Sequence, residues 1–298
     1  MLLQKAFTTL FVLPSLFMPF VFGQNATEHA FNRRRTLSIG IVIFDGFEPI
    51  EVWGPLEFLT STSLGFMIDS STQLSAFYKM TLAVISYNKG PVKGTVSARL
   101  AQHLGGDFGQ TLGAETTVTH TFDDAPALDV IIVPGGTGVI NATLGNQTII
   151  EEFLVRREPQ ADYILGISFG VTHLARSGLL NGKRATTNKS GWEWIKLYGP
   201  QVEWVPQARW VTDGKFWTSS GMTSAMDMTY AWLTHIYGAE GPVDERTNGI
   251  EYAPHLNSEW DPYAVYFNVS GADASKPMKD CVGPVGLSGN LSVSRKTR

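Results

Sequence analysis

The sequence predicts an α/β domain built on a mostly parallel sheet with helices on both faces. Three observations carry that expectation. Short apolar runs rich in β-branched residues recur at Leu37–Phe44, Val130–Val133 and Tyr163–Ile167 without polar alternation, the pattern of strands buried on both sides. Segments with helical apolar spacing separate them, which favours parallel crossovers over hairpins. Turn residues stand where the runs stop: Asp45-Gly46, Pro134-Gly135-Gly136, and Ser168 directly after Ile167.

Taken in order, Leu37–Phe44 is the first strand, and Ile50, Trp53, Leu56, Phe58 and Leu59 mark a helix from Pro49. Met80–Ser86 is a second strand. Val92 to His120 is rich in Gly and Thr and reads as short strands and turns. After the strand Val130–Val133, a helix is expected over Glu151–Arg157 and a strand over Tyr163–Ile167. Val171, Leu174, Ala175 and Leu179 then form one apolar helical face, stopped by Asn181-Gly182. Short strands follow near Ala185 and at Val202–Val205. Asp213-Gly214 reads as a hairpin turn between Arg209–Thr212 and Lys215–Ser219. Thr223–Tyr237 is the last long helix.

The chain ends lie outside this pattern. Residues 1–23 begin with Lys5, continue as an apolar run interrupted by Pro14 and Pro19, and end at the small Gly23; this is the form of a cleaved secretory signal. The run is shorter than the about 20 apolar residues of a spanning helix, so no membrane association is expected after cleavage. Residues 24–36 form a short segment in which Arg33-Arg34-Arg35 is either a processing site or a solvated basic patch. The domain proper is expected over 37–238, with an extension over 239–298 that packs to about residue 266 and is irregular beyond. Glycosylation sequons at Asn25, Asn141, Asn146, Asn188, Asn268 and Asn290 agree with a secreted, extracellular protein.

Composition excludes several classes. The 298 residues are 43% hydrophobic and 17% charged, with a net charge of −4, so no basic field is available for nucleic acid. The single cysteine, Cys281, cannot form an internal disulfide. No metal-binding motif, phosphate loop or dinucleotide fingerprint is present, and no metal or cofactor is expected.

Ligands of open α/β sheets bind at the carboxyl ends of the strands. Three features should meet there. Ser168 sits on a sharp strand-to-helix turn; Gly135 and Gly136 sit at a neighbouring strand end; Glu51 opens the helix after the first strand. The amides of Gly136 and Phe169, with Gly170 beside them, could hold a developing negative charge. Each feature also has an ordinary reading, as an N-cap, a turn and a dipole-complementing acid respectively. His173 is expected to point away from Ser168, as a surface or packing residue.

Several segments resemble the DJ-1/PfpI superfamily, in particular its isocyanide (isonitrile) hydratase branch: IFDGFEPIEVWGPLEFL from Ile43 to Leu59, DVIIVPGG from Asp129 to Gly136, GISFGVTHLARSGLLNGKRATTN from Gly166 to Asn188, DGKFWTSSGMTSAMDMTYAWL from Asp213 to Leu233 and GIEYAPHLNSEWDPY from Gly249 to Tyr263. The resemblance implies a three-layer, flavodoxin-like or class I glutamine amidotransferase-like domain. It places Ser168 at the position of the family's nucleophilic cysteine, Asn188 at that of a family histidine, and Glu51 at the family's acid. It implies either a secreted enzyme that hydrates or hydrolyses a small C–N-containing molecule through Glu51 and the Ser168 elbow, or an inactive member that binds a small molecule or protein. A homodimer is a further implication.

Overall fold

The computed structural model describes residues 26–64, 78–94, 114–238 and 242–276. The segment 1–23, Asn25, Asn290, Cys281 and much of 92–120 lie outside these residues. Among the described residues no helix is long and apolar enough to cross a membrane.

The chain runs α1 (Ala26–Asn32), β1 (Leu37–Val42), α2 (Pro49–Leu64), β2 (Met80–Ser86), β3 (Pro91–Gly94), β4 (Ala114–Thr117), β5 (His120–Thr121), β6 (Val130–Val133), α3 (Thr137–Leu144), α4 (Ile149–Arg157), β7 (Tyr163–Ile167), α5 (Val171–Arg176), β8 (Arg184–Ala185), α6 (Trp192–Lys196), β9 (Glu203–Trp204), β10 (Trp210–Asp213), β11 (Phe216–Ser219), α7 (Met222–Tyr237), α8 (Pro242–Gly249) and α9 (Tyr263–Tyr266). A seven-stranded sheet has the order β10-β11-β7-β6-β1-β2-β5 and is parallel except at β10–β11. Its centre is β6, and the neighbouring β1 pairs with β2 in the register Ile39↔Leu82 and with β6 as Ile39↔Val130. Ile39, Ile41, Val130, Ile131, Ile132, Ile164 and Leu165 are at most 1% exposed, which explains why these strands read as unbroken apolar runs. Helix α7 packs against α1, α2 and α8, α2 also packs against α8, and α4 packs with α5. The order β7-β6-β1-β2 aligns the carboxyl ends of these strands along one edge of the sheet.

Several expectations shift. β1 ends at Val42, although the Ile43 amide still bonds Ile85. The helix after Ser168 stops at Arg176 and not at Asn181-Gly182, leaving Leu179 outside it. The reason is local: the Ser177 hydroxyl donates to the Leu174 carbonyl, and Gly178 takes the left-handed conformation at φ 78°. In the β10–β11 hairpin Asp213 is paired to Phe216, so the two-residue loop is Gly214-Lys215. Helix α3 directly follows Gly136 and was not expected.

The N-terminal segment is a structural part of the domain. His29 Nε2 and the His235 carbonyl are 3.2 Å apart, Asn32 Nδ2 donates to the Ile236 carbonyl, and the Arg33 guanidinium donates to the Tyr237 carbonyl at 2.8 Å. These are carbonyls of the last turn of α7, which have no partner within their own helix. Arg35 bonds Asp162 at 2.9 Å and lies 3.7 Å from Asp129. Two of the three consecutive arginines thus have folded partners.

The segment after α8 is tied down through buried charge. Asp227 on α7, fully buried, pairs with Arg209 Nε and accepts bonds from the Tyr252 hydroxyl at 2.6 Å and the His255 amide at 2.9 Å. Arg209 NH1 lies 3.6 Å from buried Asp261. Removing one member of such a set leaves an uncompensated buried charge, so Arg209→Met is expected to cost about 3–5 kcal/mol, read by urea denaturation. A loss under 1 kcal/mol would contradict the pairing.

Candidate active site

Ser168 follows β7 with φ 53°. A serine in the left-handed region stores strain, and such strain persists only where surrounding contacts hold it. Here they do. The Ser168 carbonyl accepts the Thr187 hydroxyl at 2.7 Å, and Ser168 Oγ accepts Asn188 Nδ2 at 3.1 Å. Asn188 is itself fixed, because its Oδ1 accepts the Ser190 amide at 2.9 Å, the Ser190 hydroxyl at 2.6 Å and the Gly191 amide at 3.2 Å. The strap 186–189 is anchored by buried Lys189, whose Nζ donates to Thr186 Oγ1 at 2.6 Å and to the Ala208 carbonyl at 2.8 Å.

Glu51, in the first turn of α2, is 1% exposed. Its Oε2 accepts the Gly135 amide at 2.6 Å, and its side chain hydrogen-bonds Ser168. Burial raises its pKa to about 8, against the opposing pull of the Gly135 and Ser168 hydrogen bonds. At pH 7 this favours the neutral acid.

The glycine loop closes the arrangement. A Cβ on Gly135 would lie 2.8 Å from the Phe169 amide nitrogen and 2.9 Å from both Glu51 Oε2 and the Gly170 amide nitrogen. Gly135 thus backs directly onto the acid and the elbow amides. Gly136, at φ 126°, is pressed against the backbone of Gly46–Glu48, where a Cβ would meet the Gly46 carbonyl at 2.2 Å. Gly170 packs against the end of β6, and the Phe169 ring turns away to Gly191 and Trp194.

Glu51, Gly135, Ser168, Phe169 and Gly170, named from sequence, converge at one place. Thr187 and Asn188 belong to the same site, and spacing along the chain did not reveal their contacts. Asn188 was read as a glycosylation sequon; its amide nitrogen instead points at Ser168 Oγ, an obstacle to a glycan there. Exposed Asn146 and Asn268 present no such obstacle. His173 is fully buried and bonds Glu151 at 2.9 Å, with no contact to Ser168. Among the described residues no group of three or more His, Cys, Asp or Glu could hold a metal ion.

The fold thus brings a strained serine elbow at the end of a parallel strand together with a buried acid and a glycine loop. Residues 37–235 match the family model described as the DJ-1/PfpI family, and the chain belongs to that family. It is 28% identical over 219 residues to an isonitrile hydratase of Pseudomonas putida, covering 73% of this chain and 79% of that protein. Among solved structures it is similar to a ThiJ/PfpI family protein from Pseudomonas syringae (TM-score 0.55, 20% identity, 74% of this chain and 77% of the other). It is likewise similar to Drosophila melanogaster DJ-1beta (TM-score 0.54, 20% identity, 74% and 100%). At these identities the two structures speak for the fold alone.

Proposed function

We propose that this protein adds water across the C–N bond of a small molecule, as an isonitrile hydratase does, with Glu51 as the acid/base and Ser168 holding the substrate. The observation that carries this reading is the buried Glu51 carboxyl, its pKa pushed up by burial, beside Ser168 at the carboxyl end of the sheet. The likeness to a hydratase at 28% identity supports it.

The chemistry follows from the protonation state. An isonitrile carbon carries a lone pair, which takes the Glu51 proton. Water then attacks the resulting cationic carbon and returns a proton to the Glu51 carboxylate, and the N-substituted imidic acid relaxes to a formamide. No bond to the protein forms. With Asn188 donating to Ser168 Oγ, the serine hydroxyl can donate to the Glu51 carboxyl or to a bound substrate.

The test is formamide production from an isonitrile panel. Glu51→Gln is expected to lower turnover by at least about 10²-fold, the usual worth of a positioned acid. A wild-type chain that binds isonitriles without converting them would overturn the catalytic reading in favour of a binding protein.

Secretion belongs to the proposal as well, supported by residues 1–23 and the sequons, as does assembly into a homodimer, which sedimentation would read. In a eukaryotic host the expected result is glycan at Asn146 and Asn268 and none at Asn188, read by peptide mapping. Glycan at Asn188 in folded protein would contradict the Asn188–Ser168 contact.

A further inference from the structure

We propose that Lys189 is a positioning residue for the site, closing the strap that sets the Asn188 amide on Ser168 Oγ. Its part in hydration rests on the function proposed above; the positioning itself does not.

Connectivity carries the inference. Lys189 Nζ donates to Thr186 Oγ1 at 2.6 Å, three residues back along the chain. The bridge therefore encloses two residues, Thr187 and Asn188, and both of them hold Ser168. Thr187 does so through its hydroxyl on the Ser168 carbonyl at 2.7 Å, and Asn188 through Nδ2 on Ser168 Oγ at 3.1 Å. The far end of the bridge is fixed independently. The Thr186 amide donates to Thr218 Oγ1 at 3.0 Å, and the Thr186 hydroxyl lies 3.0 Å from the Val205 carbonyl. A second Lys189 bond, to the Ala208 carbonyl at 2.8 Å, ties the strap to the segment before β10. That segment is held in turn by the stretch after α8: the Arg209 amide donates to the Ser258 carbonyl and the Asp261 amide to the Gln207 carbonyl, each at 2.7 Å.

Lysine is an unfavourable residue to bury. This one is 3% exposed, and burial pushes its pKa down to about 7, opposed by the charge of Asp261 and assisted by that of Arg209. A methionine would fill the same space beside Trp192 without that desolvation. It could not donate two hydrogen bonds. Protonated or neutral, the lysine amine keeps at least two N–H donors for its two acceptors. The bonds, and not the volume, are what the position requires, and they fix the two residues that hold Ser168 at φ 53°.

The test is a double-mutant cycle read at the elbow itself. Ser168→Cys combined with Cys281→Ser leaves the full chain one thiol, at the elbow, and its thiolate is titrated by ultraviolet absorbance. An N–H donated by Asn188 favours the thiolate. Lys189→Met is expected to raise the thiol pKa by about one pH unit, an about tenfold loss of thiolate at a given pH. The same change should have no such effect where Asn188 is already replaced by alanine. An equal rise in both backgrounds would mean that the lysine charge acts through space or that the fold loosens as a whole, and would overturn the proposal. No rise in either would overturn it too. Where Lys189→Met does not fold, Thr186→Val removes the other end of the bridge, and the same cycle decides. With Ser168 in place, Lys189→Met should lower formamide production by about tenfold and should lower that of Asn188→Ala no further. A chain that converts no isonitrile overturns the hydratase reading, and the thiol titration still decides the role of Lys189.

Discussion

Replacing Glu51 by glutamine is expected to flatten the pH dependence of stability between about pH 4.5 and about pH 8. In the unfolded chain the carboxyl titrates at its ordinary value of 4.5; in the folded protein burial raises it to about 8. Across that window the unfolded state has released the proton and the folded state has kept it. The unfolded state binds fewer protons, so stability falls as pH rises, by about 1.4 kcal/mol per pH unit. The stabilising contribution is fully present below pH 4.5 and is gone above about pH 8. Summed over the window, the loss is on the order of 3–5 kcal/mol. Glutamine keeps an acceptor for the Gly135 amide, but it does not titrate. Urea denaturation at pH 5 and pH 8 should therefore show a steep decline for wild type and little for Glu51→Gln. Parallel declines in the two proteins would mean that the carboxyl is not neutral in the folded state.

Gly135→Ala is expected to disrupt the contact between the acid and the elbow directly. The added carbon would sit 2.8–2.9 Å from two backbone nitrogens and from Glu51 Oε2. None of the three is the far end of a flexible exposed chain, so relief requires the glycine loop and the elbow to separate. Overpacking of this kind costs about 1–3 kcal/mol, and loss of the Gly135–Glu51 hydrogen bond adds about 1–3 kcal/mol. The expected total is about 2–5 kcal/mol, with hydration activity lost. Gly249→Ala is the control, because nothing lies within 4 Å of a Cβ there; stability within about 0.5 kcal/mol of wild type is expected. If the two variants unfold at the same urea concentration, Gly135 does not back onto the acid and the elbow as described.

Much of this arrangement could be read from the chain, and the reason is physical. Strands β1, β6 and β7 are buried on both faces, so their residues have no solvent side to encode and read as continuous apolar runs. Ser168 and Gly135-Gly136 announce themselves by standing where such runs stop. Glu51 was legible as an acid in a helix's first turn, but its neutrality was not, because that depends on burial among groups distant in sequence. Asn188 and Thr187 were missed for a related cause. Their partner is Ser168, about 20 residues away, and the strap that delivers them is held by Lys189 bonding Thr186 and Ala208.

The same distinction separates the ends of the chain from its centre. Helix α1 has a composition that predicts nothing, and it exists to cap α7 from more than 200 residues away. The stretch after α8 lacks periodicity because buried polar contacts to Asp227 and Arg209 hold it, and such contacts leave no pattern of spacing. The premature stop of α5 was present in the sequence as Ser177-Gly178, and the stronger-looking Asn181-Gly182 drew attention from it.

The most direct test of the central claim is the infrared difference spectrum between wild type and Glu51→Gln at pH 7. A neutral Glu51 bonded to Ser168 predicts one protonated carboxylic acid C=O band present only in wild type, shifted in Ser168→Ala and lost when the pH is raised well above 8. Absence of that band at pH 7, or a band indifferent to Ser168→Ala, would contradict the account.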